Sequence, residues 1–406
     1  MDTDVIIVGA GPIGSIAASQ IAKSKFEVIL VDQRKIIGNP DHCAGLLSKT
    51  GLRKLGLETL PPSIIQNPDI RGAKFFSPLN KTFTVERKNN QAIVVDRTLF
   101  DQYLVQNAQD NGAELITERK ITKVSFQKNN HQVEFEYSSK KTKQQNYMNS
   151  SLGIIAEGGR GFLTKQILPH AVSNSSRLSG YQLLIEGIKD LDKNYVELYA
   201  NNQISPGFFT WIIPISDTSA KVGLASREKM SVSRLQYFLK KYHNNNYRFN
   251  NSKVIKKFGG EVIVNGLLRK THSKGFMIIG DAAGQTKSTT GGGVITGGIA
   301  ASIAANVAID FLKENKNNYN ILQKYDVEWK KMLKKQFKAM ALFRWLLDRI
   351  SNNGLDIAFQ TVIENNLMAL IEEKADIDSQ ADIIFSLLKN PAVIKLAFRL
   401  LPELKL

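Results

Sequence analysis

The sequence is poor in residues that carry redox or metal chemistry on their own. Across 406 residues there is a single cysteine, Cys43, so an intramolecular disulfide is excluded and a reducing cytoplasm is the expected setting. The five histidines stand apart, without cysteine or carboxylate partners at ligand spacing, so no metal site is expected. Neither a G-x-S-x-G elbow nor a Walker phosphate loop is present. The start, with Asp2 and Asp4 leading at once into a strand, does not read as a secretory signal. One stretch, residues 293–312, is long enough to span a bilayer. Its Gly297, Gly298, Asn306 and Asp310 fit a helix buried in protein better. Acidic residues are also few, 37 against 54 basic, for a net charge of +17. That balance points to an anionic partner such as an acidic lipid surface or a phosphorylated substrate. The excess is scattered, as at 140–143 and 253–257, and no basic stripe interleaved with aromatics appears, so nucleic acid is not expected.

What is present begins at the start of the chain. Val5 to Val8 is a short apolar run, as expected for a strand buried on both faces of a parallel sheet. Gly9, Gly11 and Gly14 follow in G-x-G-x-x-G spacing and lead into a good helix former, residues 15–23. The three glycines serve the tight turn, the approach of backbone to a pyrophosphate, and close helix–strand packing. The helix start adds N–H groups and positive dipole character facing that phosphate. A second strand, Phe26 to Val31, ends on Asp32, eighteen residues after Gly14, where an acid accepts hydrogen bonds from ribose hydroxyls.

Further along, a strand pair turns at residues 77–80, and Ala92 to Val95 is another strand. Ser48 or Thr50 caps a short helix over 51–57, and Asp96 caps a helix reaching Gly112, with Leu99, Tyr103, Leu104 and Ala108 as its apolar stripe. Strands are expected over 114–117, 120–126, 133–137 and 151–156, with 140–149 as a hairpin tip. Residues 180–226 read as antiparallel β, 232–241 as helix and 243–251 as an Asn-rich loop. After Tyr319 only helical periodicity remains. In the basic run near 330, Trp329, Met332, Leu333, Phe337 and Met340 share one helical face and Lys330, Lys331, Lys334, Lys335 and Lys338 the other. That pattern suits either a helix covering a domain or one lying on an anionic membrane. Segments 383–388 and 393–401, broken at Pro391, are similarly amphipathic.

A second glycine-rich motif lies about 270 residues after the first: a buried strand from Phe276, then Gly280-Asp281-Ala282-Ala-Gly284, then Gly291-Gly292-Gly293-Val294 and Gly297-Gly298. A carboxylate at such a strand end can be aimed at a ribityl chain. Glycines let backbone meet a flat ring, and the helix start can stabilise negative charge on a reduced flavin.

Taken together, these motifs resemble the geranylgeranyl reductase family, within the flavoproteins of the p-hydroxybenzoate hydroxylase fold. The resemblance covers roughly residues 1–312. It includes both glycine motifs, Asp32, the His42-Cys43-Ala44-Gly45 loop, Val95-Asp-Arg97-x-x-Phe100-Asp101, and Pro206-Gly-Phe-Phe-Thr-Trp211-Ile-Ile-Pro214. It implies a mixed α/β fold: a Rossmann-like FAD-binding domain, an antiparallel β substrate domain and a helical C-terminal region. The corresponding boundaries are 1–72, 96–175 and 266–315 for FAD binding, 73–95 and 176–265 for the substrate domain, and 316–406 for the helical region.

The resemblance further implies FAD bound by Gly9, Gly11, Pro12, Gly14, Asp32, Gln33, Cys43, Ala44, Arg97, Gly280, Asp281, Ala282, Gly291, Gly292, Gly293 and Val294. Phe209, Trp211 and Pro214 would line the substrate cavity. Cys43 and Trp211 would stand at the chemistry, with Cys43 as proton donor, shield or redox sensor and His42 structural or beside the cofactor rather than catalytic. The activity implied is saturation of double bonds in isoprenoid chains, in one subgroup those of archaeal ether phospholipids. Electrons would come from NAD(P)H or from a ferredoxin-like carrier suited to the basic surface. The setting would be cytoplasmic, peripheral on the inner face of the cell membrane.

The chain departs from the family pattern at Glu157 and Gly161, where relatives show Asp and Ser, and at Ile215, where lysine is common. Two other classes stay open. Phe209-Thr-Trp211-Ile-Ile213-Pro214 is one residue from the W-x-W-x-I-P pattern of flavin halogenases, which suggests a monooxygenase or halogenase of small aromatics. A non-catalytic lipid- or RNA-binding protein retaining an inert FAD fold is the other.

Overall fold

The computed structural model describes residues 2–41, 43–87, 91–139, 145–170, 177–242, 245–314, 316–374 and 376–404. The chain divides into two compact units, each discontinuous in sequence. The first takes Met1–Asp41, Arg97–Ser176 and Asn265–Lys334, and the second His42–Asp96, Arg177–Val264 and Lys335–Leu406.

The first unit is built on an eight-stranded sheet. Its parallel centre runs Phe276–Ile278, Gln145–Ile155, Asp2–Val8, Val28–Val31 and Glu114–Ile116. Gln132–Ser139 pairs antiparallel with Gln145–Ile155, and Arg119–Gln127 pairs antiparallel with Gln132–Ser139. Val5, Ile6, Ile7, Leu30 and Ile154 are fully buried, which is why they form near-continuous apolar runs. Helix Pro12–Lys23 packs against helices Arg97–Asp110 and Val294–Glu314. The last is the one described helix long and apolar enough to cross a membrane, and 61% of its most apolar window is buried inside the protein.

Several local expectations change here. Residues 145–149 continue the strand Gln145–Ile155, pairing with Gln132–Ser139, so the tip expected at 140–149 is shorter; 140–144 lie outside the described residues. In helix Arg97–Asp110 the buried side is Phe100, Leu104, Val105 and Ala108, together with Asp101. Leu99 is exposed and Tyr103 only half-buried. Residues 316–334 belong to this unit: buried Tyr325 donates to Ile278 O at 3.0 Å, and buried Trp329 donates through Nε1 to Thr271 Oγ1 at 2.8 Å.

The second unit holds a seven-stranded sheet. Its order is Lys253–Ile263, Arg177–Glu186, Ser219–Ser226, Thr210–Pro214, Tyr195–Tyr199, Gly72–Phe76 and Thr82–Glu86. A three-stranded sheet places Ala92–Val95 between Leu46–Ser48 and Ile65–Ile70. These pairings put residues 42–72 in the second unit rather than with the N-terminal glycine turn. Ser48 caps helix Lys49–Lys54, accepting from Gly51 N at 2.8 Å. Helix Ser231–Lys241 follows the main sheet. Within the segment expected as an Asn-rich loop, Asn245–Phe249 is a short helix seated by buried Phe249. Helices Asn352–Glu364, Met368–Lys374, Ala381–Leu388 and Pro391–Leu400 complete the unit.

Candidate functional site

In the first unit, the turn after strand Asp2–Val8 is shaped by what side chains would strike. At Gly9 (φ 107°), a Cβ would fall 2.2 Å from Ala156 O; at Gly14, 1.9 Å from Gly9 O. At Gly11 nothing lies within 4 Å of that position. Two glycines therefore allow contact between parts of the protein, and the middle one leaves open space above the start of helix Pro12–Lys23. Pro12 occupies the first turn, where its missing N–H costs no helical bond. This cradle fits the phosphates of a dinucleotide.

Asp32, buried at the end of strand Val28–Val31, accepts from Ala10 N at 2.9 Å and Arg34 N at 2.8 Å. Its carboxylate therefore holds the glycine turn itself in addition to any ribose contact. Gln33 beside it is exposed.

The second glycine segment lies in the same unit. Strand Phe276–Ile278 leads into a turn, Gly280–Ala283, and then helix Val294–Glu314. A Cβ on Gly293 would stand 2.8 Å from Asp281 Oδ1, so the carboxylate lies against the glycine-rich start of that helix. Burial raises the Asp281 carboxyl above its ordinary range, and the charge of Arg97 partly opposes the rise. Arg97 also forks onto Asp101 at 3.0 and 3.2 Å. Asp101 is likewise pushed up by burial and drawn back by Arg97. One guanidinium thus acts on two acids, buried Asp101 and half-buried Asp281.

Gly291 takes φ 69°, and a Cβ on Gly292 would meet Lys287 Cε at 2.9 Å. Ala282 is buried and Val294 half-buried. Buried Gln285, which sequence reasoning passed over, braces the turn: its Oε1 accepts from Gly280 N at 2.8 Å and its Nε2 donates to Tyr325 OH at 2.9 Å. Glu157 accepts from Leu163 N (3.0 Å), Thr164 N (2.7 Å) and Thr164 Oγ1 (2.9 Å), so the longer acid is committed to the start of helix Phe162–Ile167.

The second unit carries the remaining candidates. Trp211, in strand Thr210–Pro214, lies over Gly223, where a Cβ would fall 2.6 Å from the indole. Its Nε1 donates to Gln182 Oε1 at 2.9 Å, while the Gln182 amide nitrogen is buried without a partner. Phe209 stacks on Phe208 at 4.1 Å and meets Trp211 edge-on at 6.1 Å. Pro214 is buried and its carbonyl accepts from Asn67 Nδ2 at 3.0 Å.

Cys43 is half-buried, and its Sγ accepts from Gly45 N at 3.5 Å. Its neighbour His42 lies outside the described residues. Ala44 O accepts from Lys221 Nζ at 3.1 Å, and Val95 O from the same ammonium at 3.3 Å. Lys221 is among the most deeply buried large side chains. The available signal was a lone charge inside the apolar strand Ser219–Ser226.

With this geometry in place, comparison with known proteins is informative. The chain is similar in structure to a geranylgeranyl bacteriochlorophyll reductase-like protein from Thermoplasma acidophilum (TM-score 0.84, 22% identity, 98% of this chain and 99% of that one). It is also similar to a flavin-dependent brominase (TM-score 0.71, 17% identity, 96% and 98%). The chain shares its fold with these two structures. In sequence, residues 7–39 match an NAD(P)-binding Rossmann-like domain, and residues 177–262 match the geranylgeranyl reductase catalytic domain. The chain is 29% identical over 399 residues to the digeranylgeranylglycerophospholipid reductase of Methanocaldococcus jannaschii, covering 97% of this chain and 96% of that one.

Proposed function

We propose that the protein is an FAD-dependent reductase that saturates double bonds in the geranylgeranyl chains of ether phospholipids. The observation that carries this reading is the geranylgeranyl reductase catalytic domain over 177–262, the segment that contains Trp211. The glycine turns of the first unit would hold the flavin, which when reduced would supply a hydride to one alkene carbon, the other carbon taking a proton.

The chain's own residues bind, orient and keep the reaction dry. Gly11 leaves room for the pyrophosphate, Asp281 is placed for the ribityl chain with Arg97 offsetting its charge, and Gly291 to Val294 let backbone approach the ring. Phe209, Trp211 and Pro214 offer an apolar wall for the prenyl chain, which aligns an otherwise poor hydride acceptor and excludes water. Cys43 Sγ is the candidate source of the proton.

Electrons arrive from NAD(P)H or an acidic carrier protein, and the enzyme works in the cytoplasm against the inner face of the membrane. The monooxygenase or halogenase alternative has the shared fold and the partial W-x-W-x-I-P match in its favour, and less besides. Mass spectrometry of the apolar ligand copurifying with the yellow protein, before and after dithionite, tests the reading. A prenyl lipid that gains pairs of hydrogens supports it, and a small aromatic that gains oxygen or halogen overturns it.

A further inference from the structure

The C-terminal helix Pro391–Leu400 has two apolar sides, and the protein covers only one. Leu400 is buried, and with Leu396 it packs into a cluster with Ile350 and Leu355. Ile394, Phe398 and Leu401, spaced i, i+4, i+7, form a second row that stands in water, 47%, 71% and 61% exposed. Lys389, Lys395 and Arg399 flank this row, all exposed. The helix itself contains no acid, and Glu403 beyond it is engaged by Ser351 and Asn353.

A second exposed row belongs to the same C-terminal layer. On the long helix Gln323–Leu347, Lys335, Lys338, Leu342 and Trp345 follow one another at helical spacing, with Arg349 beyond, its guanidinium 4.8 Å from the Trp345 ring. The segments that follow the two helices are joined by the Ile350–Leu404 bridge and by Ser351 N donating to Glu403 O at 2.9 Å. By contrast, the apolar face near residue 330, which the sequence left open between covering a domain and lying on a membrane, is filled from within: Trp329, Leu333, Phe337 and Met340 are buried, and Met332 stands off that face.

We propose that the exposed face of helix Pro391–Leu400, together with exposed Trp345, docks onto an anionic phospholipid bilayer. This deepens the lipid-reductase reading and rests on it. Large aliphatic and aromatic side chains ringed by lysine and arginine match the acyl boundary and the negative headgroups of such a surface, and a Trp suits the interface between them. Charge complementarity selects this occupant, since a neutral protein surface would leave the basic rim unpaired.

Flotation of the flavin-loaded protein with phosphatidylglycerol-containing vesicles tests the proposal. Wild type is expected to float, and much less with pure phosphatidylcholine. The double substitution Phe398→Ser, Leu401→Ser is expected to cut the bound fraction about ten-fold, the loss of two inserted anchors. Lys395→Ala with Arg399→Ala is expected to abolish the preference for anionic lipid. Brominated lipid should quench the fluorescence of wild type but not of Trp345→Phe. Melting curves and flavin absorbance establish that each variant is folded.

Flotation unchanged by Phe398→Ser, Leu401→Ser would overturn the proposal. So would light scattering showing a dimer that the same substitutions split, since the row would then be a contact between copies. Wild-type turnover of detergent-dispersed prenyl lipid separates the two ideas: its absence counts against the reductase reading and leaves docking to be judged by flotation.

Discussion

Ile13 occupies the space a side chain on Gly297 would need: a Cβ there would stand 2.9 Å from Ile13 Cδ1 and 3.3 Å from Gly280 Cα. The phosphate turn and the second glycine segment, nearly 300 residues apart in sequence, are therefore in direct contact within the first unit. The contact brings the two glycine segments proposed for the cofactor together within one compact unit. Gly297→Val is expected to overpack this contact at a cost of about 2 kcal/mol and to weaken flavin binding. Ile13→Ala in the same chain should restore part of both, which urea denaturation and flavin titration would reveal as non-additivity.

The glycines of the first turn separate fold from binding. At Gly11 an added Cβ meets nothing, and the backbone (φ −73°, ψ 179°) suits any residue. Gly11→Ala is expected to leave stability within about 0.5 kcal/mol and to lower flavin affinity at least about ten-fold, roughly 1.4 kcal/mol. Gly14→Ala, whose Cβ would strike backbone at 1.9 Å, should instead destabilise the fold. Calorimetry together with flavin titration on the two variants distinguishes these outcomes.

Lys221 fastens the Cys43 loop from beneath. Lys221→Met keeps the stem but strips the carbonyls of Ala44 and Val95 of their buried donor, at an expected cost of about 2–4 kcal/mol. Because the loop loses a tether, alkylation of Cys43 by iodoacetamide should quicken. Denaturation and labelling kinetics give the two readings.

Asp101 and Asp281 both hold protons more readily in the folded chain than their ordinary value of 3.8. The folded state thus retains protons where the unfolded state has released them. The stability this gives is fully present below that value and is lost as pH rises through the raised ones. Arg97 limits the loss. Arg97→Met is expected to cost about 3 kcal/mol near neutrality, with the deficit shrinking on acidification. Denaturation midpoints of the flavin-free protein between about pH 4 and about pH 8 would check the sign.

Glu157 braces helix Phe162–Ile167. Glu157→Ala is expected to cost about 1 kcal/mol, as for loss of a helix cap, while flavin affinity stays within about two-fold. A large drop in affinity would return this acid to the cofactor site.

The backbone of the candidate site was legible because its constraints are local. A buried strand, a glycine turn and a helix start define the phosphate cradle in adjacent residues, and the second glycine motif has the same property. Pairings formed at long range were not legible. Strand Lys253–Ile263 mixes charged and apolar residues without alternation and is mostly exposed, and its ladder with Arg177–Glu186 reveals it. Its lysines suit an edge that must not recruit another sheet. Residues 42–72 carried no mark of their partner strand Ala92–Val95. Gln285, Lys221 and Gln182 matter through neighbours distant in sequence. Leu99 looked like part of an apolar stripe because periodicity alone cannot tell which side of a short helix meets the core.

The most direct test of the whole account is anaerobic. Enzyme reduced with dithionite, freed of excess reductant and mixed with a geranylgeranyl phospholipid, should regain its oxidised flavin absorbance while the lipid gains two hydrogens per flavin. A flavin that stays reduced with the lipid, yet reoxidises productively with oxygen and a small aromatic, would contradict it.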